Sequence, residues 1–336
     1  MLTRILIAVA VLLSTACSNT TIKSLSDFNP KPMTKSNVMP SESALENTPY
    51  KVVVFDVDDN KVQLAKQSQV GTSVSGELVA QINKSNVVMV KKTGLSDLKT
   101  AIENNATDYS DGSAVDFAVT GNISIANYSK KYHKLATYKD KKGKIHVTEP
   151  YCEYKALVMG NIYIHDINSM DLVKTIPVSG GANRSIDAAN RSVRSCNDLS
   201  TTEISSLVRS AGKKAISRED VVFQNHFRPN GYVLERRTNG KSSIFKVTIG
   251  QTNGLVKGQK AEFFTVYKNK NPITGKSAML QSKVAEGAVS NKVQKKSAWI
   301  VVDDEEVASK IRLGDVVKIT FEKGLLDKLF NRSYSQ

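Results

Sequence analysis

Helical periodicity stops at about Phe227, and no single fold accommodates what lies on either side. Past that point short β-rich runs alternate with glycine turns: SIFKVTIG, TNGLVKGQKAEFFTVY, GAVSNKV, SAWIVVD and IRLGDVVKITF. Short strands at this spacing predict a small all-β barrel. Upstream, apolar residues recur in helical and strand periods by turns. The chain is 336 residues long, enough for two domains.

The upstream half reads as alternating units. YKVVVFDVDD opens it with a compact β-branched run from Tyr50 to Val57, the pattern of a strand buried on both faces. Val70, Val74, Leu78 and Ile82 then recur every four residues, which predicts an amphipathic helix. VVMV at Val87–Val90 is a second strand, and LSDLKTAIEN a second helix with Ser96 or Thr93 as its cap. AVDFAVTGNISIANYS is a third strand. Its mate YKALVMGNIYIHDINS follows a Lys-rich turn at Lys139–Lys144, and LVKTIPVSG completes a hairpin. Ile204, Leu207, Val208 and Ala211 form the apolar face of a last helix. The predicted order is β-α-β-α-β-β-β-α, an α/β sandwich of two or three layers over 50–225. With the barrel at 226–322 and a basic tail at 323–336, the fold class expected is α+β.

The N-terminus decides the compartment. Arg4 precedes an apolar run from Ile5 to Leu13, too short to cross a bilayer core of about 30 Å. A charged start, a short apolar stretch and the small residues Ser14, Thr15 and Ala16 make 1–16 a secretory signal peptide. Cys17 follows at once, as in the bacterial lipobox, where a peptidase cuts before a cysteine that carries acyl chains. The usual Leu three positions before that cysteine is displaced: Leu13 stands four before, and Ser14 takes its place. The alternative is ordinary cleavage after Ala16, leaving Cys17 a free thiol. Ser18 is not the Asp that retains such lipoproteins on the inner membrane, so the expected location is the periplasmic face of the outer membrane. Residues 17–49 are rich in Ser, Asn, Thr and Pro with no apolar period, and read as a flexible tether reaching on the order of 100 Å.

With Cys17 used, Cys152 and Cys196 remain. Two cysteines in an exported chain form a structural disulfide in an oxidising envelope; the alternative is two free thiols. No C-x-x-C or H-x-x-x-H spacing makes them metal ligands, and no metal or other cofactor is expected.

The net charge is +15, and residues 226–336 hold 20 Lys/Arg against 10 Asp/Glu. For an exported chain this points away from nucleic acid and toward anionic lipid head groups, lipopolysaccharide, peptidoglycan carboxylates or an acidic protein surface. Scattered lysines also serve plain solubility.

Catalytic patterns are sparse. Asp56, Asp58 and Asp59 end the first strand, where carboxylates can bind metal or act as acid and base. No second carboxylate cluster answers them, so they read as a polar capping loop. His133, His146, His165 and His226 lie far apart in sequence. There is no G-x-S-x-G elbow, and Ser179–Gly181 belongs to no phosphate loop. Asp303–Glu306, the only acidic block of the basic domain, reads as a solvated loop with docking as the alternative. No catalytic residue is assigned.

The pattern resembles the curli-secretion-type (CsgG-like) lipoproteins and the N-terminal domain of TolB. The residues that carry the likeness are Leu95, Asp97 and Leu98; Gly121, Asn122 and Ile123; and Asp166, Asp171, Leu172 and Val173. The last third resembles the C-terminal barrel of the flagellar accessory protein FlgT, through Gly250, Gly254, Gly258, Gly314 and Asp315. The resemblance implies a non-enzymatic assembly subunit of an envelope protein complex, including a homo-oligomeric ring, or else a tethered regulator of an inner-membrane partner such as a peptidoglycan synthase. The curli channel's membrane hairpins have no equivalent here: alternate positions of Asn127–Tyr154 place Lys among Tyr in one set and Ser, Lys and His in the other, and neither could face lipid along a spanning strand.

Overall fold

The structure is a computed structural model. It describes residues 20–321 except 47, 107–108, 110–114, 189–194, 229, 271, 274 and 276. In chain order the elements are β1 (Asn29–Lys31), α1 (Glu42–Leu45), β2 (Lys51–Val54), α2 (Gln63–Gln67), α3 (Val70–Asn83), β3 (Val88–Val90), α4 (Ser96–Glu103), β4 (Phe117–His133), β5 (Ala136–Lys139), β6 (Ile145–Thr148), β7 (Tyr151–Asp166), β8 (Leu172–Asp187), α5 (Thr201–Ser217) and α6 (Asp220–Phe227). They continue as β9 (Gly231–Thr238), β10 (Ser243–Val247), β11 (Lys260–Lys270), β12 (Ser277–Val293), β13 (Ala298–Val302), α7 (Glu305–Ala308) and β14 (Val316–Thr320). The fold is α+β, in two bodies: 46–229 with Thr320 and Phe321, and 230–319 with 20–45, each over its described residues.

The first body has the predicted elements in order, with α2, the β5–β6 hairpin and α6 in addition. Its sheet runs β3-β2-β4-β7-β8, with β2 parallel to β3 and β4, and β7 antiparallel to both β4 and β8. Val52, Val54 and Val119 point to one face and pack with α3, α5 and α6; Val53, Phe55 and Ala118 point to the other and pack with α4. That is why the first strand carries no alternation. Gln69 enters α3 in the left-handed region (φ 54°). Gly71 follows because a Cβ there would stand 2.2 Å from the Val57 carbonyl oxygen. The second helix begins differently from expectation. Leu95 is its N-cap and makes no side-chain cap bond, so neither Ser96 nor Thr93 caps it.

The second body is a closed barrel in the order β9-β10-β13-β12-β11-β14, with β14 returning to β9. Val233, Phe245, Val247, Phe263, Ile300 and Val317 fill its interior. Part of its outside is covered by residues between Thr20 and Ser36, and this corrects the reading of 17–49 as a flexible tether for that stretch. β1 adds to the free stretch of β9, pairing Asn29 with Thr238 and Lys31 with Arg236. Ser36 N–H donates to the Leu313 carbonyl (2.8 Å), and Leu313 N–H to the Thr34 carbonyl (2.9 Å). Ile22 is buried with Ile244, Trp299 and Val301 on the barrel's outer surface, with Leu25 and Phe28 against them. The physical reason is visible in β13: all five residues of AWIVV are buried, Ala298, Ile300 and Val302 inward and Trp299 and Val301 under the N-terminal segment.

Candidate functional site

The three carboxylates after β2 diverge. Asp56 pairs with Lys92 Nζ at 2.6 Å, both largely exposed. Asp58 accepts from the backbone N–H of Asn60 and from its side-chain amide, and those bonds hold its carboxyl below the usual range. Asp59 accepts from Gly71 N–H (2.8 Å) in the first turn of α3, where a negative charge meets the helix's positive end. Each holds the loop, and they do not converge on one point.

The histidines are equally dispersed. His133 bonds Glu153 (3.0 Å) and stacks on Tyr151, and His146 bonds Asp140 (3.1 Å). His226 packs edge-on against Phe117 and Phe227. Burial pushes the His165 imidazole below its ordinary value. Among the described residues no three His, Cys, Asp or Glu side chains group as metal ligands.

Cys152 and Cys196 are joined by a disulfide, with Cα atoms 5.6 Å apart. It pins the segment before α5 to the start of β7, and Tyr154 Oη reinforces it by donating to the Asn197 carbonyl (2.8 Å). Ser200 then opens α5 with a capping box, bonding Glu203 N–H while the Glu203 carboxylate accepts from Ser200 N–H. Cys17, the leader 1–16 and the tail 323–336 lie outside the described residues.

The acidic block is partly internal. Asp304 caps α7 through Val307 N–H. Glu305 accepts from Arg236 (2.6 Å), Ser243 (2.6 Å) and Thr238 (3.2 Å), so it ties β9 to β10 around an arginine side chain only 7% exposed. Sequence reasoning missed this clamp because Glu235, Arg236 and Arg237 break the apolar pattern of β9.

Among the described residues, an open apolar stretch lies on the sheet of the first body. α4 covers only the end carrying Ala118 and Val53. Farther along the same face, Ile125 lies opposite Met159 and Leu157 one step on; all three are exposed, at 36–39%. Around them stand Asn122, Asn127, Asn161 and Thr175. The outer edge of β8 is guarded. Pro177 has no N–H to offer, and the Ser179 carbonyl already accepts from Arg218 (3.2 Å).

No family model matches this sequence, and no curated protein matches it. Similar solved structures include a hypothetical protein of Chlamydia trachomatis (14% identity, 52% of this chain and 98% of that one, TM-score 0.28). They also include a putative neuraminyllactose-binding hemagglutinin homolog of Helicobacter pylori (9%, 56% and 87%, TM-score 0.31). A third is a minor lipoprotein of Acinetobacter baumannii (11%, 53% and 94%, TM-score 0.24). Likenesses this slight carry no inference about what this chain does.

Proposed function

We propose that this protein is a lipid-anchored, non-enzymatic assembly subunit at the periplasmic face of the outer membrane, serving an envelope machine such as a flagellar basal body or a secretion or surface-appendage apparatus. The observation that carries the reading is the half-open sheet face around Ile125, Leu157 and Met159. A small apolar island inside a polar frame is the composition of a protein contact. The guarded edge of β8 favours packing on that face over strand addition. The anchor is Cys17, and the resemblance to CsgG-like and FlgT-like modules points the same way.

The competing regulator must reach across the periplasm. The bonds of Ile22 and of Asn29–Ser36 to the barrel leave it little slack. From Cys17 to Ile22 a fully extended chain spans only about 17 Å. That short leash favours a subunit held at the membrane.

A photo-crosslinking residue at Leu157 or Met159, introduced in cells, tests the reading. It should capture an envelope protein or a second copy of the chain, and Cys17→Ala should release the protein from the membrane fraction. Absence of any crosslink from either position, with normal export and folding, would overturn the assembly role.

A further inference from the structure

We propose that the β5–β6 hairpin binds anionic lipid bilayers peripherally, with Ile145 and Val147 entering the interfacial layer and the surrounding lysines contacting lipid phosphates. The hairpin continues β4 and β7 beyond the sheet but, among the described residues, pairs only with itself. The buried Pro150 interrupts the ladder at its base. A lone two-stranded ribbon buries little and is marginal in water, and among the described residues Ile145 and Val147 stay largely uncovered.

Those side chains are prominent. Ile145 is 64% exposed and Val147 55%, both on one face beside Thr137 and Lys139. Tyr138, 56% exposed and stacked on His146, stands on the other face, and Leu135 is exposed at the base. A fixed protein groove covers one face of a ribbon. A fluid interface surrounds both, and apolar residues on both faces suit it.

Charge selects the kind of interface. Residues 134–148 hold five lysines, Lys134, Lys139, Lys141, Lys142 and Lys144, against one carboxylate. All five are exposed. The single carboxylate, Asp140, is turned into its own loop, accepting from Lys142 N–H, Lys144 N–H and His146. Lysine stems lie along apolar surface while their ammonium groups reach phosphates. At the hairpin base an open cleft of about 860 Å³ is lined by Lys131, Tyr132, His133, Lys134, Leu135 and Pro150. Two lysines and a histidine over apolar walls suit a lipid head group with the start of its acyl chain. Nucleic acid would use the lysines and gain nothing from Ile145 and Val147. The inference extends the assembly reading without depending on it, because spanning the bilayer is not required and no second protein takes part.

The test uses the chain from Ser18 onward, which retains every described residue and carries no acyl anchor. It should co-sediment with vesicles containing phosphatidylglycerol and stay in solution with phosphatidylcholine alone. Each lysine near an anionic surface is worth roughly fivefold in partition, so Lys139→Gln, Lys141→Gln, Lys142→Gln and Lys144→Gln together should lower binding at least tenfold. The same number of Gln replacements on the barrel, at Lys257, Lys260, Lys295 and Lys296, should lower it far less. Ile145→Trp reads insertion directly: its emission should shift to the blue on phosphatidylglycerol vesicles. Equal loss from the barrel replacements, an unshifted tryptophan on bound protein, or loss of heparin binding alone in the hairpin variant would each overturn the proposal.

Discussion

Ile22 and Asn291 exchange two hydrogen bonds across 269 positions of sequence. Ile22 N–H donates to Asn291 Oδ1 (2.8 Å), and Asn291 Nδ2 donates to the Ile22 carbonyl (3.2 Å). The pair seats the Ile22 side chain over Trp299 and Val301, which the barrel interior cannot accommodate. Asn291→Ala leaves two backbone groups to find water, at a cost of about 1–3 kcal/mol. Ile22→Ala should cost about 2–4 kcal/mol through the lost burial and the cavity. Urea unfolding of each variant checks the values, and the segment around Lys23 should become cleavable by trypsin under native conditions. A segment that remains protected in both variants would show that the pair does not hold it.

The disulfide closes a loop of 44 positions. In the chain-entropy account a closure of that length stabilises by roughly 4 kcal/mol. Cys152→Ser with Cys196→Ser should lower the melting temperature accordingly, and a non-reducing peptide map of native protein should show the two cysteines joined. Two alkylatable thiols in native protein would refute the bond.

How much of this was legible in the sequence follows from what each residue answers to. Val70, Val74, Leu78 and Ile82 answer to one core, and their spacing reports it directly. SAWIVVD answers to two covers, yet in the sequence it reads only as one more barrel strand. Its outer cover is not legible because Ile22, Leu25 and Phe28 are isolated apolar residues in a polar stretch without a period. β9 was missed because Arg236 is buried through Glu305, a partner 69 positions away that no local pattern shows. The β5–β6 lysines looked like an ordinary turn. Their meaning depends on Ile145 and Val147 being uncovered, which only the pairing of the strands reveals.

His165 supplies the pH dependence. Burial lowers its pKa from the ordinary 6.5, so below that value the unfolded chain takes up a proton that the folded chain resists. Its contribution to stability is therefore present above about pH 6.5 and lost as the pH falls below it. The urea midpoint of the natural protein should drop more steeply between pH 6.5 and 5 than that of His165→Gln. The comparison of slopes removes any change in overall stability that the substitution brings. Parallel slopes would show that His165 titrates alike in both states.

Adjacent glycines on β8 give the sharpest test of how α5 packs. A Cβ on Gly180 would stand 2.2 Å from both the Ala211 carbonyl oxygen and the Ala215 nitrogen, backbone atoms of a helix whose buried residues Val208, Ala211, Ala215 and Ile216 anchor it in the core. Neither strand nor helix can yield without opening that core, so Gly180→Ala should cost about 3 kcal/mol. One residue on, the pleat turns the Cβ direction to the opposite face, and the nearest atom to a Cβ on Gly181 is the Ala156 carbonyl oxygen at an ordinary 3.7 Å. Gly181→Ala should stay within about 0.5 kcal/mol of the natural protein, since the loss of backbone freedom in the unfolded chain offsets small costs. Chemical denaturation of the two variants measures the difference. Equal stabilities would mean that α5 does not rest on Gly180 at this distance, and the close helix–sheet contact would have to be abandoned.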